Sequence, residues 1–156
     1  MKTLILALGN ILLSDDGIGF HILKALHDSC ALEDDVELLD GGTLSFTLAG
    51  PIADTDALIV IDAAQLQMEP GALQIFEGAA MDRFLTGHRK ASVHEVGLLD
   101  LMTITQLTGH WPNCRALVVI QPEKIDWGEF PTQRLAATIP IACQRIHTLI
   151  NSWRLP

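Results

Sequence analysis

The stretch Thr3-Leu4-Ile5-Leu6-Ala7-Leu8-Gly9-Asn10 decides how the rest of the chain reads. It is a short apolar run without polar alternation, stopped by Gly9-Asn10, which describes a strand buried on both faces. A doubly buried strand needs helices above and below it, so the segments that follow are expected to alternate. Ile18, Ile22, Ala25 and Leu26 recur at helical spacing from Asp15 to about His27, with acids at the start that complement the helix dipole. Val36 to Leu39, closed by Asp40-Gly41-Gly42, reads as a second strand, and Ala57 to Ile61, closed by Asp62, as a third. Leu73 to Phe76 follows the turn signal Pro70-Gly71 and reads as a fourth strand. Glu95 to Thr108 presents Leu98, Leu101, Met102 and Thr105 on one helical face, stopped by Gly109. Ala116 to Ile120, ended by Gln121-Pro122, is a further central strand. A final helix carries Leu135, Ile139, Ala142, Cys143, Ile146 and Ile150 on one stripe, and Pro140 must kink it or begin it. The expectation is an α/β protein, a three-layer α/β/α sandwich around a mostly parallel twisted sheet of five or six strands.

Length and composition bound the function. With 156 residues, 49% of them hydrophobic, the chain suits one domain over 1–156 with a single continuous core. Ten basic against nineteen acidic residues give a net charge of −9, which repels nucleic acid backbones and anionic membrane faces. Neither nucleic acid nor membrane is an expected partner. Cys30, Cys114 and Cys143 are odd in number and form no Cys-x-x-Cys pair, so neither a disulfide framework nor a zinc knuckle is indicated and a reducing cytoplasm fits best. Lys2 to Leu13 imitates a signal peptide, but Asp15-Asp16 stands where a small-residue cleavage site belongs.

In open α/β sheets ligands bind beyond the carboxyl ends of the strands, so the residues just after each strand are the candidates. Here they are Gly9-Asn10 and Asp15-Asp16-Gly17, then Asp40-Gly41-Gly42-Thr43, then Asp62. The spacing of Gly9, Gly17 and Gly19 is not the Gly-x-Gly-x-x-Gly of a dinucleotide site, and Asp15 and Asp16 would oppose a phosphate. An acidic rim suits a cation or a cationic substrate, because a metal ion relieves the repulsion between neighbouring carboxylates. His94, in Ser92-Val93-His94-Glu95 just ahead of a helix, can add an imidazole from a loop, and that ligand set suits nickel or zinc with coordination positions left open. Each residue also has a plain structural reading. Asp16 can cap a helix, Asp62 can tie down a turn, and His94 can be a cap or a half-buried packing residue. His21, His27, His88, His110 and His147 pair with no acid at metal-binding spacing, and no Gly-x-Ser-x-Gly elbow is present.

Leu8-Gly9-Asn10-Ile11-Leu12-Leu13-Ser14-Asp15-Asp16-Gly17-Ile18-Gly19, then Asp40-Gly41-Gly42-Thr43, then Ile59-Val60-Ile61-Asp62-Ala63, then Ser92-Val93-His94-Glu95-Val96-Gly97-Leu98 and Gln121-Pro122-Glu123 together resemble the hydrogenase maturation endopeptidases. The resemblance covers nearly the whole chain. It implies an endopeptidase, classed with the aspartic type, whose partner is the precursor of a nickel-iron hydrogenase large subunit. The precursor is clipped near its C-terminus once nickel has been inserted. By the same resemblance Asp16, Asp62 and His94 are the catalytic residues and the ligands of nickel carried by the substrate, and Asp40, Gly41 and Gly42 shape the substrate groove. Asp16 departs from the glutamate common in that family, a shorter carboxylate that still reaches a metal. The competing readings are a non-enzymatic nickel-binding chaperone for hydrogenase assembly and a flavodoxin-like nucleotide binder, which the acidic rim disfavours. Oligomeric state is open.

Overall fold

The computed structural model describes residues 1–29, 32–43, 46–87 and 93–155, the last segment without the side chains of 93–96. Strand β1 (Thr3–Leu8) is buried at every position, as its uninterrupted apolar run requires. A single 3-10 turn, Ser14–Gly17, leads into α1 (Ile18–Asp28). Next come β2 (Val36–Gly42), the five-residue α2 (Ala49–Ala53), β3 (Ala57–Ala63), β4 (Leu73–Glu77) and α3 (Ala79–Thr86). Helix α4 (Val93–Leu107), strand β5 (Cys114–Ile120) and the long α5 (Gln133–Arg154) complete the chain.

The strands form one five-stranded sheet in the order β2-β1-β3-β5-β4. The first four members are parallel and β4 runs antiparallel along the edge of β5. Side chains of alternating residues point to opposite faces, and the two faces bury separate cores. Ile5, Ile59, Ile61 and Val118 pack beneath α1 and α5, through Ile22, Leu26, Leu135 and Ile146. Leu4, Leu6, Leu58 and Val60 pack against Ile52 of α2, Met81 of α3, and Leu98 and Leu101 of α4. The three-layer sandwich expected from the sequence is therefore the fold, with five strands.

Four local expectations change. Asp40, Gly41 and Gly42 lie inside β2, because β1 shifts register between Ala7 and Leu8 and the extra residue keeps β2 paired to its end. Asp62 likewise lies inside β3, opposite Val119 of β5. His94 belongs by its backbone to the first turn of α4 and not to a loop ahead of it; its side chain lies outside the described residues, as do Cys30 and His88. Pro140 sits in the interior of α5, so it does not begin that helix. Among the described residues no helix is long and apolar enough to cross a membrane, and Cys114 and Cys143 are free thiols.

Candidate active site

The chain leaves β1 through α1 on one face of the sheet to reach β2, then returns through α2 on the other face to reach β3. The strand order reverses between β1 and β3, which lie side by side. At such a switch point the helices diverge to opposite faces and leave a crevice at the carboxyl ends of the two strands. Asp16 lies on the loop that leaves β1, and Asp62 lies near the end of β3.

The β1 loop is built around Gly9, whose φ of +123° is a conformation that side chains rarely adopt. A Cβ at that position would stand 1.9 Å from the carbonyl oxygen of Asp16. The absent methyl group lets the loop fold back on itself, and the Asn10 N–H then donates to Asp16 Oδ2 at 2.8 Å. Asn10 closes the turn by accepting the Leu12 N–H on its Oδ1 at 2.9 Å. Asp16 is only 6% exposed. A second contact sets the depth of the crevice: at Gly19, in the first turn of α1, a Cβ would lie 2.9 Å from both the Leu8 and the Ile61 carbonyl oxygens. The start of α1 thus rests on the ends of both strands.

Asp62 is 1% exposed and accepts the Ala63 N–H on Oδ1 at 2.9 Å. By strand alternation it shares the sheet face of Leu58 and Val60, the face covered by α4. Gln121 braces the neighbouring connection at the end of β5. Its Oε1 accepts the Leu66 N–H at 2.7 Å, and its Nε2 donates to Gln65 Oε1 at 2.8 Å.

The adjacent acids Asp15 and Asp16 have separate tasks, which the sequence did not announce. Asp15 is fully buried and holds the loop between β5 and α5: Oδ2 accepts the N–H groups of Glu123 at 2.9 Å and Lys124 at 2.8 Å, and Oδ1 accepts that of Thr132 at 2.6 Å. The Thr132 hydroxyl donates to Asp15 as well, at 3.1 Å. Four donors aimed at one carboxylate satisfy its charge without a counter-ion, so Asp15 is a structural anchor. Ser14 beside it adopts a positive φ of 52°, and its N–H and hydroxyl donate, each at 2.8 Å, to the carbonyls of Gly128 and Asp126 in the same loop.

Asp40 is exposed at the end of β2, where its Oδ1 accepts the Gly42 N–H at 3.0 Å. With Phe20, Leu23, Lys24 and Leu38 it lines a cleft on the α1 side. Gly41 packs against Leu6 and Leu8, and the Gly42 carbonyl accepts the Gly9 N–H at 2.8 Å, tying the β2 turn to the Asp16 loop. Among the described residues no three histidine, cysteine, aspartate or glutamate side chains converge as a metal site; the third expected ligand, the His94 imidazole, is not one of them. Of the remaining histidines, His21 is a packing residue. It lies between the rings of Phe20 and Phe130, and burial holds its imidazole below the ordinary histidine pKa.

Known proteins share this fold. The family model of the hydrogenase maturation proteases (HycI) matches residues 20–149. The hydrogenase expression/formation protein HupD of Rhizobium leguminosarum bv. viciae is 34% identical over 153 residues, which span 97% of this chain and 75% of that protein. The hydrogenase 2 maturation protease of Escherichia coli K12 is 38% identical over 127 residues, spanning 81% of this chain and 76% of its own. The solved structure of the hydrogenase maturating endopeptidase HybD from Escherichia coli superposes with a TM-score of 0.91 at 34% identity, covering 99% of this chain and 94% of that one. Matched along nearly its whole length in sequence and in fold, the chain belongs to the hydrogenase maturation protease family and is a peptidase.

Proposed function

We propose that this chain removes a C-terminal peptide from the nickel-loaded precursor of a nickel-iron hydrogenase large subunit, in the cytoplasm. The observation that carries the reading is the siting of two buried acids, Asp16 and Asp62, at the carboxyl ends of the adjacent strands β1 and β3, within a hydrogenase maturation protease fold. Family membership favours this reading over a non-enzymatic nickel chaperone with the same ligands.

In this reading the nickel is part of the substrate. Asp16, Asp62 and His94 hold the metal that the precursor brings, so that only a metal-loaded precursor seats its C-terminal segment in the crevice. The end of β2 at Asp40, Gly41 and Gly42 borders the path of that segment, and Asp40, the exposed member, contributes to its selection. Hydrolysis adds water to the scissile carbonyl, breaks the C–N bond and leaves a carboxylate and an amine. A carboxylate of the pair takes the proton from the attacking water and returns it to the departing nitrogen, the general base and acid role that gives the aspartic classification its meaning here. The bound nickel orients the substrate and polarises groups near it.

The test is mass spectrometry of purified precursor before and after incubation with the protein. Nickel-loaded precursor is expected to lose a short C-terminal peptide and nickel-free precursor to keep its mass. Equal cleavage of both forms overturns the gating role of the metal, and a stable complex with unchanged precursor mass favours the chaperone.

A further inference from the structure

The loops that build the crevice also carry a surface that the chemistry leaves unused. Leu12, on the loop before Asp16, is 46% exposed, while Ile125, Trp127 and Phe130, on the loop between β5 and α5, are 52%, 76% and 75% exposed. Isolated exposed apolar side chains are ordinary, but a group on two joined loops forms a patch. The two loops are joined by backbone: Leu13 and Gly128 form a parallel bridge, and the Gly128 N–H donates to the Leu12 carbonyl at 2.9 Å. Gly128 is also where a side chain would close the gap, since a Cβ there would lie 2.6 Å from Ser14 Oγ.

The patch is held firmly. Asp15 clamps both ends of the second loop, the Asp126 carboxylate accepts the Trp127 N–H at 2.8 Å, and the Phe130 ring lies over His21 with centroids 6.4 Å apart. Rigid aromatic anchors that lose little conformational freedom on contact are the side chains that dominate protein interfaces. Exposed carboxylates of Asp126 and Glu129 border them, while Glu123 is paired with Arg134 at 3.7 Å and Lys124 is exposed beside it. On a chain of net charge −9 this border opposes a second copy of the same surface. It suits a different protein that offers an apolar depression edged by lysine or arginine.

We propose that the Leu12, Ile125, Trp127 and Phe130 patch docks the folded body of the precursor, through an apolar depression with a basic rim lying away from the scissile C-terminal segment. The proposal rests on the peptidase reading above, and the backbone pairing of Leu12 and Leu13 with Gly128 joins the patch to the loop that carries Asp16. Docking of the body makes entry of the C-terminal segment an intramolecular event, so the patch acts on capture of substrate and not on the bond-breaking step.

The test uses the full chain, its Trp127→Ser/Phe130→Ser double variant and a Glu129→Lys variant, with purified precursor as the probe in both nickel-loaded and nickel-free form. For the double variant the expected result is a KM for nickel-loaded precursor raised about tenfold or more with kcat near wild type, and a matching loss of binding to immobilised nickel-free precursor. Glu129→Lys, a surface change that leaves the apolar anchors in place, is expected to slow association at low salt and to lose that effect at high salt. Unchanged KM and binding in both variants overturn the proposal, as does a wild-type protein that binds neither form of precursor. Sedimentation that falls from dimer to monomer in the double variant also overturns it, because the patch would then join copies of this chain. Wild-type protein that binds precursor through the patch without shortening it supports docking and sinks the peptidase reading instead.

Discussion

The Asp15 carboxylate accepts the backbone N–H of Thr132 at 2.6 Å, joining two positions 117 residues apart in the chain. Its other oxygen takes the N–H groups of Glu123 and Lys124, so one side chain fixes the loop after β5 against the loop after β1. Asp15→Ala strips the acceptor from three backbone donors, each costing about 1–3 kcal/mol when buried without a partner. Partial relief by water brings the expected loss of stability to about 3–5 kcal/mol, visible as a lower urea midpoint at constant slope. A variant as stable as wild type would show that the loop needs no such anchor.

Asp16, the next residue, is expected to behave in the opposite way. Asp16→Asn and Asp62→Asn keep the shape of the buried side chains but remove the charge, and His94→Ala removes the imidazole. Each is expected to slow processing of nickel-loaded precursor by about 100-fold or more, the scale of a lost acid, base or ligand, while the thermal midpoint moves little. The readout is the rate at which the short C-terminal peptide appears by mass spectrometry, measured beside a melting curve. Wild-type processing by His94→Ala removes that residue from the site.

Gly9 and Gly42 both have positive φ, yet they should differ sharply in tolerance. At Gly9 an added methyl group meets the Asp16 carbonyl oxygen at 1.9 Å, whereas at Gly42 nothing lies within 4 Å. Gly9→Ala combines backbone strain with overpacking and is expected to cost about 3 kcal/mol or more. It should also abolish processing, since the Asn10 to Asp16 bond depends on that turn. Gly42→Ala carries the strain alone, about 1–2 kcal/mol. Comparable losses in the two variants, read by calorimetry, would contradict the contact geometry.

The acid limb of stability has an identifiable contributor at the far side of the molecule. Arg115 of β5 donates from Nε to Asp82 of α3 at 2.9 Å, and this guanidinium holds the Asp82 carboxyl below the usual carboxylate range. A carboxyl whose pKa is lower folded than unfolded adds stability above its unfolded value, about 3.9, and loses it as pH falls through the folded value. Solvent reaches the pair, so Asp82→Asn is expected to cost about 1 kcal/mol at neutral pH. The gap between variant and wild type should close below about pH 4 in urea titrations. A gap that persists in acid would assign the effect to something other than the charge.

Much of the fold was legible because its central strands have no polar alternation. Thr3 to Leu8 and Ala57 to Ile61 read as interior strands, and their ends point to the rim where Asp16 and Asp62 lie. Helices α2 and α3 give little sequence signal for a physical reason: Ala49–Ala53 contains Gly50 and Pro51 and spans little more than one turn, and the apolar repeat of Ala79–Thr86, Met81, Phe84 and Leu85, covers a single turn. The sequence places the strand ends short at Asp40 and Asp62 because an acid after an apolar run looks like a terminator. Here neighbouring strands continue the pairing past it. The division of labour between Asp15 and Asp16 had no local signal, since the donors that distinguish Asp15 come from more than one hundred residues downstream.

The missing side chain at Gly19 reaches further than its own helix. Because α1 begins in contact with the Leu8 and Ile61 carbonyls, the span across the crevice mouth is set by backbone against backbone, with no flexible side chain between to act as a spring. Residues on the surrounding loops can be exchanged to suit a different client, while the gauge of the opening stays that of two strands and a helix in direct touch.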